Sequence, residues 1–334
     1  MDWAALPLRQ QRTISIRTAW NHPQGFTEPL TIHIPYDTIA QLLRFSPDVI
    51  ISDELGARTL QATAYRAVGR GTRLVVWAKM SEATEQGRGR LRPVLRRALL
   101  RHADAVMVNG ASGARYVERL GVSTGKVFCV PQTTDIARFL AVSAQRPAWL
   151  RRRFIYCGRL IQLKGLIPFI SHLTDLARCR ADQRFELWFA GDGPLRSELT
   201  EFPRPANLDF LFLGNVSYDR MPEVYGQAGI LVFPTLADEW GLVVVEAMAA
   251  GLPVLGSLYS QAVDDLVTDG LTGWTFRPDD SVGIRSALGR VLDASAEEID
   301  CMGHRARHRV TDLTPESMTR EVMTAIEYAY AHDS

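Results

Sequence analysis

The sequence predicts an α/β protein of two domains, each a doubly wound parallel sheet covered on both faces, with a cleft between them. Three observations carry that prediction. Short, wholly apolar runs of strand length alternate with stretches of helical period. The 334 residues, 46 % of them hydrophobic, suffice for about two cores at roughly 100–200 residues per domain. Charge also divides unevenly: the net is +1, but residues 1–150 hold 20 Lys and Arg against 11 Asp and Glu. The basic half is expected to meet something anionic.

In the second half, strands are expected at Phe154–Cys157, Glu186–Ala190, Leu208–Leu213, Ile230–Phe233, Pro253–Gly256 and Gly273–Phe276. Helices fall between them, near 165–179, 194–201, 218–228, 242–250, 260–267 and 281–293. Ser295–Ala331 reads as helical, with Pro315 opening a second helix. The first half reads similarly but less completely. Its strands are Thr13–Arg17, Leu30–Ile34, Val49–Ser52, Leu74–Ala78, Ala105–Asn109 and Val127–Val130, with helices at 36–45, 54–68, 92–102 and 112–120. Residues 140–152, containing Pro147, read as a linker, so the domains fall at 1–145 and 150–334.

Composition excludes several classes. No run approaches the ~18 apolar residues of a bilayer span, and MDWAALPLRQQR lacks the layout of a secretory signal. Cys129, Cys157, Cys179 and Cys301 form no CxxC and read as reduced packing residues, so the expectation is a soluble cytoplasmic chain. His304 and His308 sit i,i+4 but lack accompanying acids, and read as helix-surface residues rather than metal ligands.

The segment Phe233–Leu255 is the most informative. It reads as a strand, a loop bearing Asp238 and Glu239, and a helix that starts near Gly241 and stops at Gly251. A helix N-terminus at the carboxyl end of a strand offers free N–H groups to a phosphate. Glu246 lies about one turn inside, where a carboxylate accepts hydrogen bonds from two neighbouring sugar hydroxyls. The bland alternative is that the acids only favour the helix start.

This segment resembles the acid-x7-Glu motif of retaining glycosyltransferases of family 4, which have the GT-B fold of two Rossmann-like domains. The matching residues are Gly241-Leu242-Val243-Val244-Val245-Glu246-Ala247-Met248-Ala249 and Gly251-Leu252-Pro253-Val254, with Asp238 where the family commonly has Glu. Four more matches follow the family's order. Gly158-Arg159-Leu160 with Lys164-Gly165 resembles its diphosphate clamp. Gly191-Asp192-Gly193-Pro194 resembles the turn beside the nucleotide. Gly214-Asn215-Val216-Ser217 resembles the loop that meets the base, and Leu266–Gly273 a later turn.

The resemblance implies a nucleotide-sugar donor in the cleft. Its diphosphate would be held by Arg159, Lys164 and the N–H groups of Gly241, Leu242 and Val243, with Gly158, Gly191, Asn215 and Val216 lining the nucleotide. Glu246 would bind the ribose and Asp238 or Glu239 the transferred sugar. No cofactor or metal is implied, and no Asp-x-Asp pair is present. Transfer would go, with retention, to a sugar or lipid-linked acceptor in cell-surface or extracellular polysaccharide biosynthesis. The alternatives are a catalytically inactive sugar-nucleotide-binding subunit and another GT-B enzyme such as a nucleotide-sugar epimerase.

The N-terminal half is expected to bind the acceptor, with Lys79, Glu82 and Asn109 as cleft contacts. The family's opening strand, Gly-rich loop and helix have no match, so this domain is expected to lack its first βα unit. Arg88–His102 carries six arginines and no acid, with Leu91, Leu95, Ala98, Leu99 and His102 at helical spacing. Such a helix either docks its apolar face on the domain or lies on an anionic membrane surface. The latter would make the chain peripheral on the inner face of the cell membrane. No aromatic-interleaved or helix-turn-helix signature supports nucleic acid.

Overall fold

The computed structural model describes residues 9–68, 71–89, 91–142 and 147–332. Arg90 and residues 143–146 of the expected linker lie outside the described residues.

The C-terminal domain follows the expected order closely. Its strands are β7 (Arg153–Cys157), β8 (Phe185–Ala190), β9 (Leu208–Gly214), β10 (Ile230–Phe233), β11 (Val254–Ser257) and β12 (Gly273–Phe276). The helices are α6 (Leu166–Arg178), α7 (Arg196–Thr200), α8 (Met221–Gly226), α9 (Leu242–Ala249), α10 (Gln261–Leu266), α11 (Ser281–Asp293), α12 (Ala296–Val310) and α13 (Pro315–Ala331). The sheet order is β12-β11-β10-β7-β8-β9, all parallel. Chain direction across the sheet reverses between β7 and β10, and a crevice opens beyond the strand ends at such a switch point. Both faces are covered. Helix α9, apolar almost all round, lies buried on one face, and α6 and α11 cover the other.

The N-terminal domain differs from expectation in one respect. β1 (Thr13–Asn21) and β2 (Thr27–Pro35) do not join a parallel sheet. They pair with each other as an antiparallel hairpin, Thr13 opposite Pro35 and Asn21 opposite Thr27. After α1 (Thr38–Phe45), the sheet proper is β3 (Val49–Asp53), β4 (Arg73–Ala78), β5 (Ala105–Val108) and β6 (Val127–Cys129), parallel and in chain order. Helices α2 (Ala57–Arg66), α3 (Leu91–Leu100) and α4 (Ala111–Arg119) cover one face over Leu74, Val76 and Val106.

The second face is covered from the far end of the chain. Helix α13 lays Ala325 and Ala329 against Val75, Ala105 and Met107, and Tyr328 packs on Phe128 with ring centroids 5.2 Å apart. The last helix thus belongs by packing to the N-terminal domain, a correction to its assignment with residues 150–334. Its small residues fit the flat face of a parallel sheet, which local periodicity cannot reveal. The short helix α5 (Ala137–Leu140) leads toward the C-terminal domain, where Phe139 packs on Tyr225.

Candidate active site

The site forms at the switch point because glycine lets its loops come close. Gly158 N–H donates to Ala190 O at 2.9 Å, and a Cβ on Gly191 would lie 1.9 Å from Gly158 O. The turns after β7 and β8 are therefore locked back to back. Gly165, at φ +64, brings the next loop so close to the one after β10 that its Cβ would lie 2.3 Å from Pro234 O. That contact carries Lys164 to Asp238, and the two are ion-paired. Tyr156 Oη donates to Arg159 O at 2.7 Å and fixes the backbone of the turn after β7. Burial raises the Tyr156 pKa, which keeps its hydroxyl a donor. The Arg159 side chain is exposed at the rim.

Gly241, at φ +109, turns the chain into α9. The first N–H groups of that helix, at Leu242 and Val243, have no partner within it. One turn inside, Glu246 is only 7 % exposed and accepts a hydrogen bond from Tyr225 Oη at 3.1 Å. Burial pushes its carboxyl pKa up, and the Tyr225 bond opposes that rise. Beyond β9, Asn215 is exposed and Val216 half-buried.

From the opposite wall, Lys79 Nζ pairs with Asp53 at 2.8 Å and sits 5.4 Å over the Trp77 ring. Glu239 reaches solvent, yet the surrounding walls desolvate its carboxyl and raise its pKa. Lys79 opposes that rise, while Asp238, Asp53 and Glu54 reinforce it. Lys79, Asp238, Glu239 and Lys164 thus gather around one crevice.

Two expected acceptor contacts are placed elsewhere. Glu82 turns to α4, pairing with Arg119 at 2.6 Å and Arg115 at 3.7 Å. Asn109 is fully buried. Its amide donates to the Glu239 carbonyl at 2.9 Å, and its Oδ1 accepts from Trp77 Nε1 at 3.0 Å. Asn109 therefore fixes the Asp238–Glu239 loop from the other domain.

Several residues at this junction had no readable signal. Gln261 Nε2 donates to the Glu239 and Lys79 carbonyls, at 2.6 and 2.8 Å. Asp265 accepts from Ala111 N–H at the start of α4, at 3.1 Å. At the hairpin tip, His22 is buried and stacked on Phe26. Its Nδ1 accepts from Gln24 N–H at 3.3 Å, and its Nε2 has no partner among the described residues. Burial and the nearby Arg88 charge lower its pKa. A lone histidine in a turn carries no pattern that points to a site.

Two parallel-sheet domains joined across a crevice, with cations and a helix start at the switch point, define the GT-B class of glycosyltransferase fold. Comparison with known proteins is specific on the family. Residues 151–294 match the family described as Glycosyl transferases group 1, and residues 3–133 the Glycosyl transferase 4-like domain. The chain belongs to the glycosyltransferases of this family-4 type.

Among its relatives, glycogen synthase of Mycobacterium tuberculosis is 28 % identical over 235 residues, covering 70 % of this chain and 55 % of the relative. The sulfoquinovosyl transferase of Arabidopsis thaliana is 31 % identical over 155 residues, 46 % of this chain and 29 % of the relative. The chain thus spans about half or less of these relatives' length. Among solved structures, Anabaena HepE in complex with UDP matches with a TM-score of 0.70 at 17 % identity, over 86 % of this chain and 81 % of that one. The lipopolysaccharide outer core galactosyltransferase WaaB matches at 0.69 and 18 % identity, over 87 % and 78 %.

Proposed function

We propose that the chain is a retaining, metal-independent glycosyltransferase that moves a sugar from a nucleotide-sugar donor to an acceptor hydroxyl. The observation that carries this reading is the convergence of Lys164, Asp238, Glu239 and the start of α9 on the switch-point crevice. Breaking the sugar–phosphate bond builds negative charge on the leaving diphosphate. Arg159, Lys164 and the Leu242 and Val243 N–H groups stabilise that charge, in the place a metal takes in other enzymes. Glu246 receives the ribose hydroxyls, and Asp238 or Glu239 orients the transferred sugar.

The acceptor oxygen attacks the anomeric carbon from the face the diphosphate leaves. Its proton passes to a diphosphate oxygen, and a nucleoside diphosphate departs. The acceptor is a sugar or lipid-linked sugar of a cell-surface polysaccharide, entering beside Lys79. The test incubates the chain with UDP-, GDP- and ADP-sugars and candidate acceptors, with chelator present, and follows nucleotide release and anomeric configuration by NMR. Release with an α-linked product from an α-linked donor supports the reading. Tight donor binding without release to any acceptor favours the inactive binding subunit.

A further inference from the structure

Helix α3 docks with the wrong face for an ordinary surface helix. The residues it buries are Arg96, Leu99 and Leu100. Arg96, 4 % exposed, pairs with Glu85 and donates to Tyr116 Oη at 2.9 Å. This charged anchor turns the opposite stripe outward. Leu91 is 84 % exposed, Val94 66 % and Leu95 51 %, and Ala98, in line one turn on, is exposed too. The spacing i, i+3, i+4, i+7 makes this one continuous apolar ridge.

Arginines flank the ridge. Arg92 lies on one side, and Arg97 and Arg101 on the other, all exposed. Arg97 also donates to the Leu120 carbonyl at 3.1 Å, which fixes its position beside the ridge.

We infer that α3 is a membrane-docking helix that lies flat on a bilayer surface rich in anionic lipid. An apolar ridge flanked by arginines suits that partner: the aliphatic chains enter the boundary of the acyl region while the guanidinium groups meet the headgroup phosphates. A protein partner fits less well, because interface cores are depleted in charge and three aliphatic residues make a small one. The docking is peripheral. Among the described residues no helix is long and apolar enough to cross a membrane.

The position of α3 gives the contact a consequence. It follows the loop Lys79–Gly89, which touches the C-terminal domain through Gln261 and the hairpin through Trp20 Nε1 and Gln86 O at 3.1 Å. Docking would therefore bring the cleft rim to headgroup level, where a lipid-borne acceptor is presented.

The test is sedimentation of the whole purified chain with phosphatidylcholine vesicles, with and without phosphatidylglycerol at about a third of the lipid. The expected result is binding at least about tenfold stronger to the anionic vesicles, weakened by salt. Leu91→Ser, Val94→Ser and Leu95→Ser together should reduce it about tenfold or more, and Arg92→Gln with Arg101→Gln should remove the anionic preference. Both variants should melt within a few degrees of the parent, since the exchanged side chains are exposed and Glu85, which Arg92 approaches at 3.9 Å, keeps its closer partner Arg96. Equal binding to both vesicles, no binding, or unchanged binding by the triple serine variant overturns the inference. So does a parent that is dimeric by light scattering and becomes monomeric in that variant, which would assign the ridge to a second copy.

Discussion

The ammonium of Lys164 and the carboxylate of Asp238 are ion-paired at the switch point, each side chain mostly buried. The cation expected on the donor's diphosphate is therefore shared with the acid expected on its sugar. On the proposed reading, a diphosphate draws Lys164 from Asp238 and leaves the carboxylate to the sugar.

That coupling separates binding from turnover. Asp238→Asn keeps the shape and removes the competing charge. Nucleoside diphosphate affinity, by calorimetry, should rise about two- to tenfold, since the diphosphate no longer competes with a carboxylate for Lys164. Transfer should fall about a hundredfold or more, in line with losing a charged group from the reacting centre.

Glu246 yields a pH signature. Burial holds its carboxyl pKa above the usual 4.5, so the native state keeps the proton more tightly than the unfolded chain. Stability is therefore greatest below the unfolded value and is lost as pH rises through the folded one. Glu246→Gln removes that loss. The variant should melt above the parent at pH 8, with the two melting curves converging below pH 4.5. Its nucleotide affinity should drop about tenfold, the loss of one hydrogen bond to a charged group. Higher stability with weaker binding is the mark of a site residue.

Asn109 joins the domains through a single amide. Asn109→Asp keeps the acceptor for Trp77 Nε1 but replaces the donor to the Glu239 carbonyl with an oxygen. Urea unfolding should show a loss of about 1–3 kcal/mol, the cost of an unsatisfied buried group. Donor KM should rise as the Asp238–Glu239 loop loosens.

Gly191 has no room for a side chain. At φ +149, with a Cβ 1.9 Å from Gly158 O, Gly191→Ala should cost about 3 kcal/mol or more by thermal unfolding. Nucleotide binding should be lost with it, because Gly158 and Arg159 sit on the displaced turn.

The C-terminal domain was legible almost strand by strand, because buried parallel strands are short, apolar and set off by glycine and proline. The hairpin was misplaced although its signal was present. Residues Thr13–Arg17 and Leu30–Ile34 alternate with period two around the turn His22-Pro23-Gln24-Gly25-Phe26, a hairpin pattern and not that of a buried parallel strand. The expected stripe of α3 shares Leu91, Leu95 and Ala98 with the exposed ridge, but it includes Leu99, which is buried, and lacks Val94. Periodicity defines a face, whereas the Arg96 contacts with Glu85 and Tyr116 decide which way it turns. The Lys164–Asp238 pair is 74 positions apart and joins only once β7 and β10 are neighbours. The roles of Asn109 and Gln261 likewise depend on the two domains meeting, and α13 on the chain crossing back.

The central claim is that the crevice between β7 and β10 holds the diphosphate of a nucleotide-sugar. Calorimetric titration of UDP, GDP and ADP into the parent and into Arg159→Ala with Lys164→Ala tests it most directly. The account predicts saturable binding of one nucleotide to the parent, weakened about a hundredfold or more when both cations are gone, in a variant that still unfolds cooperatively. Equal affinity in the double variant, or no binding of any nucleotide by a folded parent, would contradict it.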